Sequence, residues 1–229
     1  MKIANGVEML ELRMGSMIIH PVVIRDEHEV ILVDTGSPGQ LPAIKKAMEK
    51  AGISFHKLSK VILTHQDLDH TGSLPQILDA IDHPIEVFAH EMEKPHIEGD
   101  KPLLKMAPDR WLNVKVDKTI DDGEVLPYCG GITVIFTPGH TPGHISLYLN
   151  ESKTLITGDA LTGTNEMLQG PMAPPLFALD IDMALKSLRK FAKYDIETVI
   201  CYHGGIFRDK VSEQLRELAQ QGEKSVNNK

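Results

Sequence analysis

The segment from Val61 to Ser73 reads Val-Ile-Leu-Thr-His-Gln-Asp-Leu-Asp-His-Thr-Gly-Ser, and it constrains the chain more than any other stretch. Val61, Ile62 and Leu63 have the apolar run of a short buried strand. His65, Asp67, Asp69 and His70 then place paired imidazoles and paired carboxylates within a few residues. Gly72 permits a tight turn. Ser73 and Gln76 predict a helix start, with Ser73 as the cap and Gln76 reaching back to it. The polar side chains therefore fall on a loop between a strand end and a helix, where open α/β folds place their sites. Imidazole nitrogen and carboxylate oxygen are both good ligands for first-row divalent metals. A solvated acidic turn would have no need of paired histidines.

Length and charge narrow the classes. The 229 residues suit one domain or two tightly fused halves, and 41% hydrophobic content supports a substantial core. A formal net charge of -8 argues against nucleic acid as a partner, because phosphate binding needs a basic surface. No apolar run approaches the length of a bilayer span, so no membrane partner is expected. The first residues, Met1-Lys-Ile-Ala-Asn-Gly, lack an apolar signal core. Cys129 and Cys201 are too few for a disulfide framework and read as free thiols, which fits the cytoplasm. Cys201 stands two residues before His203, and both cysteines read as small buried hydrophobes.

Along the chain, Met9–Met14 and Met17–Ile24 alternate like strands, with Pro21 marking an edge or bulge. Glu29–Asp34 reads as a buried strand ending in Asp34-Thr-Gly. Leu41, Ile44, Ala47 and Met48 have helical spacing, closed by Gly52. A helix is expected over about 74–81 and a strand over 85–89. His90, Glu91, Glu93 and His96 suit a polar helix. Residues 101–108 form a Pro-bounded apolar insertion before Trp111, either a surface excursion or a wall over a site. In the second half, strands are expected over 131–136, 145–149, 154–157 and 198–201. Residues 162–180 read as a long loop carrying Met167, Leu168, Met172, Leu176 and Phe177, a composition suited to a pocket wall or a subunit contact, so a homodimer is among the expected assemblies. Leu185, Leu188 and Phe191 mark one helix face, and Val211, Leu215 and Leu218 another.

Histidines and aspartates recur where these strands end: Asp34, the 65–70 cluster, His140 in Thr-Pro-Gly-His, Asp159 in Thr-Gly-Asp and His203 in Tyr-His-Gly. This ordered set resembles the metallo-β-lactamase fold superfamily of metal-dependent hydrolases over essentially the whole chain. The resemblance implies an α/β fold, a four-layer αβ/βα sandwich of two mixed β-sheets flanked by helices. It implies one domain over 1–229, built from pseudo-repeated halves of about 1–115 and 116–229. It further implies two divalent metal ions. His65, Asp67 and His140 would serve the first and Asp69, His70 and His203 the second, with Asp159 bridging them. Asp34 and His144 would orient ligands by hydrogen bonds without binding metal.

The departure from the family pattern is Asp67, which stands where His is commoner. Trading imidazole for carboxylate adds a negative charge and a harder ligand, so iron or manganese joins zinc, the expected ion. The resemblance implies a hydrolase that uses a metal-bound hydroxide to cleave an ester, thioester or lactone of a small molecule, with Asp69 orienting the nucleophile and moving its proton. Two rivals are an iron-dependent oxidoreductase of the same fold and a non-catalytic small-molecule sensor. The chain has no flavodoxin-like stretch with a phosphate-cradling loop, which disfavours the first. The full ligand set disfavours the second.

Overall fold

The computed structural model describes the backbone of residues 1–105, 111–164, 167–171 and 178–227, and side chains through residue 220. The chain divides into two compact units, 1–120 and 121–229.

The first unit is built on a seven-stranded mixed sheet. Its elements are β1 (Lys2–Ala4), β2 (Val7–Met9), β3 (Leu12–Met14), β4 (Met17–Ile19), β5 (Val22–Arg25), β6 (Val30–Val33), α1 (Leu41–Lys50), β7 (Lys60–Ile62), α2 (Leu68–Thr71), α3 (Leu74–Asp79), β8 (Glu86–Ala89), α4 (Lys94–Ile97) and β9 (Lys118–Thr119). The strand order is β1-β2-β5-β6-β7-β8-β9. β1, β2, β5 and β6 pair antiparallel, and β6 through β9 pair parallel. Parallel strands buried on both faces need continuous apolar sequence. Val30–Val33 supplies it, every residue buried. α1 turns Ile44 and Met48 inward, and burying each contributes roughly 1.5–3 kcal/mol.

The second unit carries β10 (Val125–Leu126), β11 (Ile132–Phe136), β12 (Ile145–Leu149), β13 (Thr154–Ile156), β14 (Thr162–Thr164), β15 (Met167–Gln169), α5 (Ile181–Ser187), β16 (Thr198–Cys201), β17 (Gly205–Phe207) and α6 (Val211–Asn227). Its sheet order is β10-β11-β12-β13-β16-β17. β12 runs antiparallel to both β11 and β13, and β16 runs parallel to β13. The carboxyl ends of β11, β13 and β16 therefore share one edge of the sheet. The core beneath gathers Ile135, Leu155, Leu188, Phe191, Val199 and Leu215, among others.

The structure departs from the sequence expectations in several places. The runs 9–14 and 17–24 are each broken. Pro21 has no N–H to donate, so the second run divides into β4 and β5, and β3 and β4 pair as a separate hairpin. Ser73 makes no capping bond. Its hydroxyl donates to the Ser37 carbonyl at 2.6 Å and accepts from the Gln40 amide at 2.9 Å, tying two loops together. Gly72 has ordinary helical angles. What demands glycine there is space, since a Cβ would lie 2.3 Å from Pro38 Cδ. The 162–180 loop contains the hairpin β14–β15. Met172, Leu176 and Phe177 lie outside the described residues, as do residues 106–108 of the apolar insertion and 109–110 after it. α5 ends at Ser187, and Leu188–Lys193 continues as 3₁₀ helix. No helix among the described residues is long and apolar enough to cross a membrane.

Candidate functional site

In the first unit the site residues leave the carboxyl ends of adjacent parallel strands. Asp34 follows β6, and Thr64 and His65 follow β7. Asp34 adopts a left-handed backbone (φ 59°), which turns its carboxylate inward. That carboxylate accepts from the Thr64 amide at 2.9 Å, the Thr64 hydroxyl at 2.8 Å and His70 Nδ1 at 2.8 Å. Each bond has a consequence for protons. Facing a carboxylate, His70 Nδ1 carries the hydrogen, so Nε2 presents its lone pair. The Thr64 hydroxyl hydrogen is directed at Asp34, so its oxygen accepts from His65 Nδ1 at 3.0 Å. His65 likewise presents Nε2 as a donor of electrons. The two rings lie side by side, centroids 4.0 Å apart. Thr35 completes the support, its amide and hydroxyl both donating to the His70 carbonyl.

The carboxylates of the motif lie beside these lone pairs. Asp67 Oδ2 is 3.3 Å from His65 Nε2, and Asp69 Oδ2 is 3.9 Å from His70 Nε2. Asp69 and His70 ride on α2, a single helical turn that the amides of His70 and Thr71 close onto the Asp67 carbonyl. Sequence reasoning did not single out Lys105. Its ammonium lies 2.6 Å from Asp67 Oδ2, and both side chains are nearly buried. Nothing in an apolar, Pro-bounded segment far along the chain signals such a pairing.

In the second unit, the loop after β11 carries His140 and His144, the loop after β13 carries Asp159, and His203 follows β16. Asp159 Oδ2 is 3.3 Å from His140 Nε2 and 3.6 Å from His203 Nε2. His144 Nε2 accepts the Asp159 amide at 3.0 Å, so its proton sits on Nδ1, 2.8 Å from the Thr137 hydroxyl. With both ring nitrogens so used, His144 braces Asp159 and has no lone pair to offer a metal. Gly139 takes φ 127°, and a Cβ there would fall 2.1 Å from the Ala184 amide nitrogen, so the position demands glycine twice over. Cys201 is buried, and loss of solvation pushes its thiol up to about 12. Tyr202 is buried, packing edge-on against His203.

The sequence profile of the metallo-beta-lactamase superfamily matches residues 16–203. The chain belongs to this superfamily. Membership supports a metal-dependent hydrolase in general, and the fold implies divalent-metal binding through its His and Asp side chains. The donor set fits that implication on its own chemistry: His65 and His70, with protons fixed on Nδ1, and His140 and His203 all lie beside carboxylates, an arrangement that suits borderline divalent ions. Among superfamily relatives, the chain is 30% identical to a probable metallo-hydrolase, YflN, of Bacillus subtilis, over 88% of this chain and 84% of that one. It is 29% identical to an atrochrysone carboxyl ACP thioesterase of Aspergillus fumigatus, over 84% of this chain and about half (51%) of the relative. The solved structure of the metallo-beta-lactamase family protein TTHA1429 from Thermus thermophilus superposes with a TM-score of 0.78 at 22% identity, covering 98% of this chain and 82% of that one. At that identity the likeness speaks for the fold, an α/β arrangement of mixed sheets with helices.

Proposed function

We propose that this protein is a metal-dependent hydrolase that cleaves an ester, thioester or lactone of a small molecule. The proposed metal donors are His65, Asp67, Asp69 and His70 of the first unit and His140, Asp159 and His203 of the second, serving two divalent ions, zinc first. The observation that carries the reading is the fixing of His65 and His70 by Asp34, which directs two Nε2 lone pairs beside two carboxylates. A bound divalent ion would supply Lewis acidity, lowering the pKa of bound water toward about 7 and polarising a carbonyl.

The chain's own residues supply the remainder. Asp34 accepts the hydrogen bond from His70 Nδ1 and so fixes which ring nitrogen carries the proton and how the ring is oriented. His144 holds the Asp159 backbone through its amide, fixing where that carboxylate starts. Asp69 is the most exposed of the three carboxylates, with 19% of its side chain accessible against 10% for Asp67 and 6% for Asp159. That exposure suits Asp69 Oδ2 to take a proton from the attacking water and pass it to the leaving group. Preference for a carbonyl substrate has the support of the relative named as a thioesterase. The exposed apolar side chain of Leu104, whose amide bonds Gln66 of the motif, favours a neutral or partly apolar substrate.

The test is a panel of p-nitrophenyl esters, acyl thioesters and acyl lactones assayed with metal-stripped and metal-reconstituted protein, alongside elemental analysis. Metal-dependent turnover of one class, lost in His70→Ala, supports the reading. Absence of bound metal after reconstitution, or metal content unchanged in Asp67→Ala, overturns the assignment of the ligands.

A further inference from the structure

Asp67, one of the proposed metal donors, is paired with Lys105, a charge that the proposed hydrolytic chemistry does not use. The carboxylate stands where the commoner pattern has a neutral imidazole, so the motif carries an extra negative charge. Lys105 brings a positive charge to the same place, Nζ 2.6 Å from Oδ2. The oxygen it holds is the one that lies 3.3 Å from His65 Nε2, the atom Asp67 would turn toward an ion shared with that ring.

The approach of Lys105 is built rather than incidental. Gln66, between His65 and Asp67, donates through both its amide and Nε2 to Glu93 Oε2, each at 2.9 Å. Thus fixed, Gln66 Oε1 accepts the Leu104 amide at 2.8 Å. His96 Nδ1 bonds the Pro102 carbonyl at 2.6 Å, and Leu103, the next residue, is buried. The motif's own glutamine therefore anchors the residue before the lysine. A nearly buried ion pair of this kind is held by its geometry and is costly to leave half-made.

We propose that Lys105 is a resident competitor for the Asp67 carboxylate: it holds Oδ2 when no ion is bound and weakens divalent-ion binding by His65 and Asp67. An ammonium and a divalent cation sharing one carboxylate oxygen repel one another at close range. Uptake of an ion at His65 and Asp67 must therefore displace Lys105 or bear its repulsion. Lys105 in this way sets how readily that site fills. The inference rests on the reading of His65 and Asp67 as metal donors.

The experiment is a zinc titration of the metal-stripped full chain against a competing chelator, for the wild type, Lys105→Met, Lys105→Arg, Asp67→Asn, the Lys105→Met/Asp67→Asn double variant and His65→Ala. Lys105→Met keeps the length and apolar stem while removing the charge. It is expected to tighten the weaker zinc-binding step about tenfold or more, the scale on which groups around a metal site act. Lys105→Arg keeps the charge and is expected to stay within about threefold of the wild type, well inside that tenfold scale. In the Asp67→Asn background, Lys105→Met should have no such effect. Should Lys105→Met fail to fold, Lys105→Gln is measured in its place. Zinc affinity that is unchanged or weaker in the charge-removed variants, while His65→Ala still abolishes a binding step, overturns the role of Lys105 alone. No binding step sensitive to His65→Ala would instead overturn the metal reading on which it rests.

Discussion

Asp34 and His70, 36 positions apart in the chain, meet in a 2.8 Å hydrogen bond between Oδ2 and Nδ1. The same carboxylate takes two bonds from Thr64, and Thr64 in turn fixes His65. One residue thus sets the proton positions of two rings. Asp34→Asn tests this with little backbone penalty, because asparagine also tolerates the left-handed conformation. The amide keeps one acceptor oxygen and replaces the other with a donor, so at least one of the three bonds is lost. We expect metal affinity to fall roughly 10- to 100-fold, with hydrolytic activity falling alongside. Chelator-competition titration and elemental analysis check it. Unchanged affinity would show that the rings hold their orientation without Asp34.

His144 and Asp159 give a matching case in the second unit. The imidazole bridges the Thr137 hydroxyl and the Asp159 amide, and all three are buried. His144→Ala removes the acceptor of the Asp159 amide and one partner of the Thr137 hydroxyl, which keeps Ser146 Oγ at 3.0 Å, and losing the partner of a buried polar group costs about 1–3 kcal/mol. We expect a clear drop in unfolding free energy by urea titration. His144→Gln, which can offer both an acceptor and a donor, should recover part of it. His140→Ala, by contrast, should lower metal content with a smaller loss of stability.

The sequence showed a great deal because the site lies where strands end. A buried run followed by polar residues is legible in one dimension, and so were β6, β7, β11, β13 and β16, give or take a residue. The motif around His65 also announced its chemistry through residue type alone. What escaped the reading depends on contacts made across the fold. Ser73 has the residue type of a cap, but the nearby Ser37–Gln40 turn competes for its hydroxyl, and that tertiary contact prevails. The hairpin β14–β15 hides in a stretch whose prolines and glycines read as loop. Lys105 is found only through Gln66, whose side chain reaches a backbone 38 positions away.

Gly139 precedes His140 and lies against α5. Its φ of 127° and the 2.1 Å separation a Cβ would have from the Ala184 amide nitrogen penalise any side chain twice. Backbone strain of this kind costs about 1–3 kcal/mol and forced overpacking about as much again. Gly139→Ala should therefore lower stability by about 2–6 kcal/mol, with loss of metal content as His140 shifts. Gly123→Ala in the same unit is the control. It shares a positive φ, 79°, but a Cβ there meets nothing within 4 Å. Urea unfolding of both variants separates steric from conformational cost, and equal losses would refute the packing argument.

The pair Glu29 and Lys60 predicts how stability depends on pH. Lys60 Nζ lies 2.7 Å from Glu29 Oε2 and 3.4 Å from Glu86 Oε2, binding the sheet across β6, β7 and β8. Burial pushes the Glu29 carboxyl up, but hydrogen bonds from Lys60 and Ser59 and the charge of Lys60 outweigh it, leaving the group below its ordinary value of 4.5. A carboxyl whose pKa is lowered by folding is protonated in the unfolded chain first. Its stabilising contribution is complete above the ordinary value and is lost as pH falls through the folded one. The difference in unfolding free energy between wild type and Glu29→Gln should hold steady from pH 7 to about 5 and then shrink below it. Urea titrations of both proteins at a series of pH values measure this directly. A difference that persists undiminished into acid would mean that the charge of Glu29 is not what Lys60 stabilises.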